Sequence, residues 1–176
     1  MMKMKKPYEE EQPRVDAFVW ESLTADAAGA PRLERKGRAD EAGFLAELDR
    51  FAWREQAEAA LGFSPTISVT DLMSDRTLFF SPALGDGDSL AFFVGSIVPA
   101  CRNILGFKRP YRRVEIYEAS DATIFRSLVS ALFRRDEGAL ASRLATLEFY
   151  TRTAEDGGWK RYLNDKREYV KLINQR

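Results

Sequence analysis

Residues 65–81 read PTISVTDLMSDRTLFFS, and this stretch decides the fold. Ile67 and Val69 alternate with polar residues, the middle segment DLMSD is typical of a turn, and an apolar run follows it. A connection this short cannot contain a crossover helix, so the two strands that it joins must be antiparallel. The stretch therefore predicts a hairpin, with one strand opened by Pro65 and a second over residues 77–81.

Two more strands follow this hairpin along the chain. Residues 82–89 are rich in Gly and Asp and predict a loop, residues 90–98 predict an apolar strand, and residues 112–118 alternate as a fourth strand. Short connections predict an antiparallel meander of about four strands. The basic stretch 107–113 is expected to be a solvated loop that leads into the last strand.

Helical spacing occurs on both sides of the meander. Residues 40–61 carry apolar side chains every three to four positions, with Asp40 as N-cap and Gly62 as the stop, and predict one helix. After Ser120 the period is again 3.6, and it predicts an apolar helix, a second helix capped by Asp136, and a last one after the segment EDGG. The chain is therefore predicted to be an α+β protein whose meander packs against an N-terminal helix and two to three C-terminal helices.

The first forty residues are less decisive. Residues 14–23 fit a strand or the first turns of a helix, because their period alone does not separate the two. Residues 25–39 are small, charged and interrupted by Gly and Pro, which predicts a loop, with a short strand over 32–35 as an alternative. Residues 1–13 are interpreted as a flexible tail, and residues 14–176 as a single α+β domain.

The chain of 176 residues contains no histidine and one cysteine. This excludes Ser-His-Asp and Cys-His catalysis, histidine-based zinc helices, an intrachain disulfide and multi-cysteine metal sites. Cys101 follows an apolar strand and has no imidazole to activate it, so it is interpreted as a packed cysteine. Glycine-rich phosphate loops are also missing. No catalytic, cofactor-binding or metal-binding residue is therefore assigned, and the protein is not expected to be an enzyme.

The sequence also bears on location. The first eleven residues have no apolar segment behind their basic positions, so they do not resemble a secretory signal. The longest apolar stretch, residues 90–101, contains Gly95 and Pro99 and is too short to span a bilayer. A lone thiol fits a reducing compartment. We therefore expect a cytoplasmic protein without a membrane partner.

The 27 basic and 27 acidic residues cancel in total but not along the chain. Residues 40–101 have a net charge of −7, from three basic and ten acidic side chains. Residues 102–176 have a net charge of +6, from 16 basic and ten acidic side chains. This asymmetry indicates either two halves that neutralise each other in the fold or a charged partner.

Four aspartates lie in the predicted loops of the acidic half. Asp71 and Asp75 flank the first turn, and Asp86 and Asp88 lie in the next loop, LGDGDS. Aspartates in turns often accept hydrogen bonds from the local backbone. The EF-hand ligand series and its closing glutamate are missing, which argues against calcium. As a partner-binding site, the four carboxylates would face a basic surface.

The order of elements resembles that of the immunity proteins of bacterial polymorphic toxin systems. The likeness lies in a helix, the strand PTISVTD, the turn into DRTLFF and a later helix ending in LFRRD, and it covers roughly residues 44–145. It implies a cytosolic, non-catalytic α+β protein that binds and blocks one cognate toxin. Inhibitors of nucleic-acid-directed toxins often present carboxylates to a basic active site, which makes the four loop aspartates the expected interface.

Two other functions stay open. A small-molecule-binding protein or carboxylate-dependent enzyme needs a deep pocket between sheet and helices, with convergent polar groups and a carboxylate of shifted pKa. A nucleic-acid-binding protein would use the basic and aromatic residues of 102–113. Zero net charge and the lack of an RRM, KH or helix-turn-helix signature argue against nucleic acid as the partner.

Overall fold

The computed structural model describes residues 14–175, and the predicted tail, residues 1–13, lies outside them. The strands of the described part are β1 (Phe18–Ala25), β2 (Pro31–Ala39), β3 (Thr66–Asp71), β4 (Arg76–Leu84), β5 (Leu90–Ile104), β6 (Phe107–Ala119) and β7 (Glu148–Ala154). The helices are α1 (Glu41–Arg50), α2 (Trp53–Ala59), α3 (Thr123–Phe133), α4 (Glu137–Leu144) and α5 (Gly158–Asn174), and a 3-10 turn, Asp86–Asp88, separates β4 from β5. Within residues 14–175, no helix is long and apolar enough to cross a membrane.

All these strands belong to one antiparallel sheet in the order β2-β1-β3-β4-β5-β6-β7. The predicted α+β class is confirmed, and the hairpin of residues 65–81 forms its centre as β3 and β4, with Ile67 opposite Phe80. The prediction of about four strands is too low, because β1 and β2 extend one edge and β7 forms the other. The outermost strands, β2 and β7, are mostly exposed along their length. They therefore lack the apolar alternation by which a strand is recognised in a sequence.

One face of the sheet packs against α1 to α4 and contains the main core. Phe125 of α3 lies at its centre, with its ring centroid 4.5 Å from that of Phe80 and 5.3 Å from that of Phe92. Burying side chains of this size contributes about 1.5–3 kcal/mol each to folding. The other large side chains buried in this core are Phe44, Leu48, Ile67, Val69, Leu78, Val94, Leu128, Val129, Leu132, Leu140 and Leu144.

The N-terminal helix is shorter than predicted. Asp40 caps α1 as expected, and its carboxylate accepts a hydrogen bond of 2.8 Å from the Gly43 N–H. The single helix predicted over residues 40–61 is broken at Phe51, where the backbone is extended (φ −62°, ψ 121°). The break turns α2 so that the Trp53 ring lies 5.6 Å from the ring of Phe125. Tertiary packing therefore overrides a helical pattern that continues through the break.

The opposite face of the sheet packs against α5, which crosses it between β6 and β2. Its apolar cluster is small, and the buried members are Ala17, Val19, Leu72 and Tyr169. On β3 and β4 this face carries hydroxyl groups, and the Thr70 and Thr77 side chains share a buried hydrogen bond of 2.7 Å. Polar contacts therefore contribute more to this face than to the face covered by α1 to α4.

A two-stranded arm projects from the sheet at the β5–β6 hairpin. The pairing of β5 with β4 ends at Ile97, and the pairing of β6 with β7 begins at Arg113. We define the arm as residues 99–112, whose ladder partners lie within the arm itself. At about 3.3 Å per residue, its two strands extend roughly 20 Å. The basic stretch 107–113, expected to be a loop, is a strand instead, because it pairs with the second half of β5.

Candidate functional site

The root of the arm is fixed by Arg112, whose side chain is buried in spite of its charge. Its Nη1 donates to Glu155 Oε1 and Oε2 at 3.0 and 3.1 Å, and its Nη2 donates to Thr77 Oγ1 at 2.7 Å and to the Asp75 carbonyl oxygen at 3.2 Å. The guanidinium carbon lies 3.8 Å from the ring centroid of Tyr162. These contacts tie the arm to β4, to α5 and to the segment after β7.

Asp75 extends this network to α5. Its Oδ1 accepts hydrogen bonds of 2.6 Å from Tyr162 Oη and from Lys166 Nζ. Burial, with the negative charge of Asp75 beside it, raises the pKa of Tyr162 above its ordinary value, so the phenol keeps the proton that it donates. Lys166 is buried as well, and Asp75 is its ion-pair partner. Asp75 therefore holds α5 against the β3–β4 turn.

Asp71 has a similar internal role on the other face of the sheet. Its side chain is fully buried and accepts hydrogen bonds from the Met73 N–H, from Ser74 Oγ and from Arg135 at 2.8–3.1 Å. Arg135 also binds Asp16, and the hydrogen bonds to the two carboxylates raise the pKa of its guanidinium. The ion pair between the buried Asp71 and the half-buried Arg135 joins the β3–β4 turn to the end of α3.

The structure does not bring the four predicted interface aspartates together. Asp71 and Asp75 lie at the β3–β4 end of the sheet, whereas Asp86 and Asp88 lie in the 3-10 turn at the β4–β5 end. Asp86 is exposed, while Asp71 has no exposed surface to offer a partner. A role in partner binding stays a prediction for this set. The geometry points instead to the arm, whose residues 102–112 the sequence offered only as part of a nucleic-acid-binding segment.

The tip of the arm combines two features that a folded protein normally avoids. The two residues of its turn, Leu105 and Gly106, have positive φ values of 50° and 81°. Hairpin turns with two positive φ values favour Asn-Gly or Asp-Gly, because a branched apolar side chain is strained there. Leu105 is also 93 % exposed, and its neighbour Phe107 is 73 % exposed. Both the backbone and the solvent therefore disfavour leucine at this position.

The flanks of the arm are basic. Arg102, Lys108 and Arg109 are exposed, and the sequence contains no acidic residue from Arg102 through Arg113. In the described part of the chain, neither Lys108 nor Arg109 has an ion-pair partner. The Arg102 guanidinium lies over the Tyr111 ring at 4.3 Å. Positive charge therefore surrounds the apolar tip.

Cys101 also lies on the arm. It was expected to be packed, but it is exposed, because β5 continues beyond the strands that cover its first half. The apolar run that suggested burial covers only the part of β5 inside the sheet.

A second feature is a cleft of about 560 Å³ between α5 and the sheet. Phe79, Ile97 and Val114 line it from the sheet; the Phe79 ring lies against Gly95, where any side chain would collide with it. Burial raises the pKa of Glu155, although Arg112 opposes this effect. The polar side chains of the lining are those of Glu21, Thr153, Glu155, Asp156, Arg161, Tyr162 and Asp165.

The carboxylates of this cleft are largely engaged by the protein itself. Glu155 pairs with Arg112, and Asp165 pairs with Arg35 at 2.6 Å. Among the residues that the structure describes, no group of three or more Asp, Glu or Cys side chains is placed to hold a metal ion. The cleft thus has the size of a ligand site, but most of its charged groups already have partners.

Comparison with known proteins adds no relative. No protein-family model matches the chain, and no curated protein or solved structure shows significant similarity to it. Function is therefore inferred from the geometry and charge of the arm and of the cleft.

Proposed function

We propose that this protein is a non-catalytic binding protein of the cytoplasm, an immunity-type inhibitor that blocks a cognate bacterial toxin by inserting the tip of its arm. The observation that carries the proposal is Leu105, an exposed leucine at a turn position with positive φ. The order of elements over residues 44–145, which resembles that of toxin-immunity proteins, supports the choice of partner.

The energetics favour a binding role for the tip. A left-handed conformation costs a non-glycine residue about 1–2 kcal/mol, and leaving a leucine in water forgoes about 1.5–3 kcal/mol of burial energy. Neither cost is recovered within the free protein. A partner that buries Leu105 and Phe107 recovers the second one on binding. Local rules are commonly broken in this way at functional sites.

The root makes this contact efficient. An isolated two-stranded hairpin is only marginally stable in water. Here Arg112 anchors the arm through Glu155, Thr77 and the Asp75 carbonyl, so its direction is set before binding. A preorganised arm loses less conformational entropy on association than a flexible loop does.

The test uses the protein encoded immediately upstream in the source genome, where a cognate toxin gene is expected. The double variant Leu105→Asn/Phe107→Ser should weaken binding by roughly 100-fold or more, since each central contact residue typically contributes about 2 kcal/mol. It should also abolish protection of cells that express the upstream protein. Calorimetry and a growth assay measure the two effects.

Two controls sharpen this test. Leu61→Ser changes a leucine that is 71 % exposed but lies away from the arm, and it should bind as the wild type does. Asp86→Lys/Asp88→Lys examines the predicted acidic interface. If the acidic-loop variant fails to protect while the tip variant succeeds, the contact lies at the aspartates and the arm is not the docking element. If the wild-type protein does not bind the upstream protein, the toxin-inhibitor proposal is wrong.

The cleft favours a second candidate, a small-molecule-binding protein or carboxylate-dependent enzyme. Its volume suits a ligand, and the raised pKa of Glu155 is the kind of shift that such sites use. A thermal-shift screen of amines, amino acids and sugars is the test. Thr153→Trp should fill the cleft and abolish any stabilisation, whereas Thr146→Trp, after α4, should not. A ligand that stabilises both variants equally binds elsewhere.

A further inference from the structure

We infer that the surface which receives the arm is a protein cleft lined by carboxylates around an apolar floor. This inference rests on the proposed function and names the chemistry of the partner. It reverses the charge relation implied by the acidic loops. The toxin would be an enzyme whose active site depends on acidic residues, not a nuclease with a basic site.

The first argument is charge. Arg102, Lys108 and Arg109 surround the tip, and no acidic residue lies within the arm. Two acidic side chains near the root are already paired: Glu115 binds Arg113 and Arg152, and Glu155 binds Arg112. Asp156, one residue beyond Glu155, is exposed, but it stands against three exposed cations of the arm. The positive potential of the arm is therefore not cancelled locally. A basic active site would repel it, whereas an acidic one would attract it and speed association.

The acidic half of the chain does not offset this field at the same end of the sheet. Asp71 is neutralised by Arg135 and Asp75 by Lys166, so both carboxylates already have cationic partners within the chain. Two of the four carboxylates that were expected to face a basic partner, those of Asp71 and Asp75, thus hold helices in place. The uncompensated charge beside them is that of the arm.

The second argument is shape. The arm is one hairpin wide, about 5 Å between its strands, and it projects roughly 20 Å. A narrow projection fits a cleft better than a flat surface. Leu105 lies at the end of the arm, and Arg102 lies three residues closer to the sheet, about 10 Å from Leu105 at the usual rise of a strand. An apolar floor with carboxylates along its walls is complementary to this order of groups.

Nucleic acid fits these observations less well. Its affinity for proteins comes mainly from cations that contact phosphates, and the arm offers only three exposed ones. The chain as a whole has zero net charge. The exposed leucine at the tip of the arm is apolar and does not bind a phosphate. We therefore treat nucleic acid as an outcome of the test.

The experiment is a cross-linking test on the complex of the full chain with the upstream-encoded protein. It identifies the partner residue that contacts Lys108. A water-soluble carbodiimide couples an amine to a carboxylate without a spacer, so it reports only direct contacts. Peptide mapping should find Lys108 linked to an Asp or Glu of the partner. The matched variant Lys108→Arg keeps the charge but has no primary amine for this coupling. Because the positive charge is kept, its affinity should stay within about twofold of that of the wild type. The cross-link should disappear.

Association kinetics provide the second readout. Lys108→Glu/Arg109→Glu should lower the association rate constant about tenfold or more at low salt, and the difference should shrink as salt is added. The control Arg167→Glu/Lys171→Glu changes the net charge equally on the C-terminal half of α5, which packs against β2 at the other edge of the sheet. It should have a much smaller effect.

The outcomes separate the inference from the proposed function. One outcome would contradict the acidic cleft alone. In it the tip variant binds more weakly, but no cross-link forms and the arm charge variant associates as fast as its α5 control. The partner's cleft is then not acidic, and the inhibitor proposal stands. If the tip variant binds normally, both fail. If the wild-type chain is retained on immobilised single-stranded DNA, and the arm charge variant is not, the arm is a nucleic-acid site and both fail.

Discussion

The root and the tip of the arm obey opposite rules, although they belong to one hairpin. At the root, a charged side chain, Arg112, is 3 % exposed and paired with Glu155. At the tip, an apolar side chain, Leu105, is almost entirely in water. A sequence selected for stability alone would place these residue types the other way round. The root therefore fixes the geometry of the arm, and the exposed leucine is the basis of our proposal that the tip serves binding.

Removing the root arginine should have the largest effect on stability. Arg112→Ala leaves the carboxylate of Glu155 partly buried without its partner, and breaking such a pair costs about 3–5 kcal/mol. Urea unfolding measures the loss. The double variant Arg112→Met/Glu155→Met, which removes both charges, should recover most of it. A loss below about 1 kcal/mol for Arg112→Ala would show that the root does not hold the arm.

The pH dependence of stability should reveal the cost of burying Glu155. Its pKa in the folded protein is raised above the ordinary 4.5, because burial outweighs the attraction of Arg112. The folded state therefore binds this proton more tightly than the unfolded state does. The resulting stabilisation is complete below pH 4.5 and is lost as the pH rises through the raised value.

Glu155→Gln removes this titration and so isolates it. The free energy of unfolding of the variant should rise relative to that of the wild type as the pH increases from below 4.5 towards neutrality. Urea unfolding of both proteins across this range is the measurement. A constant difference would mean that Arg112 fully offsets burial, and a difference that moves the other way would mean that Arg112 outweighs it.

The tip should respond in the opposite sense. Leu105→Asn replaces a strained residue with one that tolerates positive φ, so it should stabilise the fold by about 0.5–1 kcal/mol while it weakens partner binding. Thermal unfolding and calorimetry give the two numbers. Leu84→Asn, at the exposed end of β4, provides the control for removing an apolar side chain. A destabilised Leu105→Asn would place the leucine within the packing of the free protein.

The smallest effect is expected at Cys101. Because its thiol is exposed on the arm, it should react with a disulfide reagent as fast in the native protein as in urea. Cys101→Ser should change the free energy of unfolding by no more than about 0.5 kcal/mol. Slow labelling of the native protein would indicate that something covers this part of the arm.

The parts of the fold that the sequence predicted are those with one buried face. In β3 and in α3 the apolar residues repeat with the period of the element. This repeat shows directly in the sequence which face is buried. The N-caps Asp40 and Asp136 were also predicted from local sequence, and the carboxylate of each accepts a hydrogen bond from a backbone N–H. The edge strands β2 and β7 show no such repeat, since neither has a continuous buried face.

The candidate site was harder to predict, because its features depend on distant contacts. A loop aspartate looks the same in a sequence whether it faces solvent or, like Asp71, is buried against an arginine 64 residues away. The arm shows no apolar period beyond Ile97, and its basic half is typical of a loop. One local signal exists: Leu-Gly between two β-forming stretches, where Asn-Gly is usual, marks a strained hairpin turn.

The sequence by itself determined the α+β class, the central hairpin, the helices α3 and α4 of the main core and the absence of histidine chemistry. These follow from local periodicity and from composition, which are independent of long-range contacts. Only the tertiary structure decided that Asp71 and Asp75 are internal ties and that β5 and β6 extend past the sheet to expose Leu105. Pairing between distant segments decides which charges are neutralised and which residues remain in water, and no local pattern encodes that pairing.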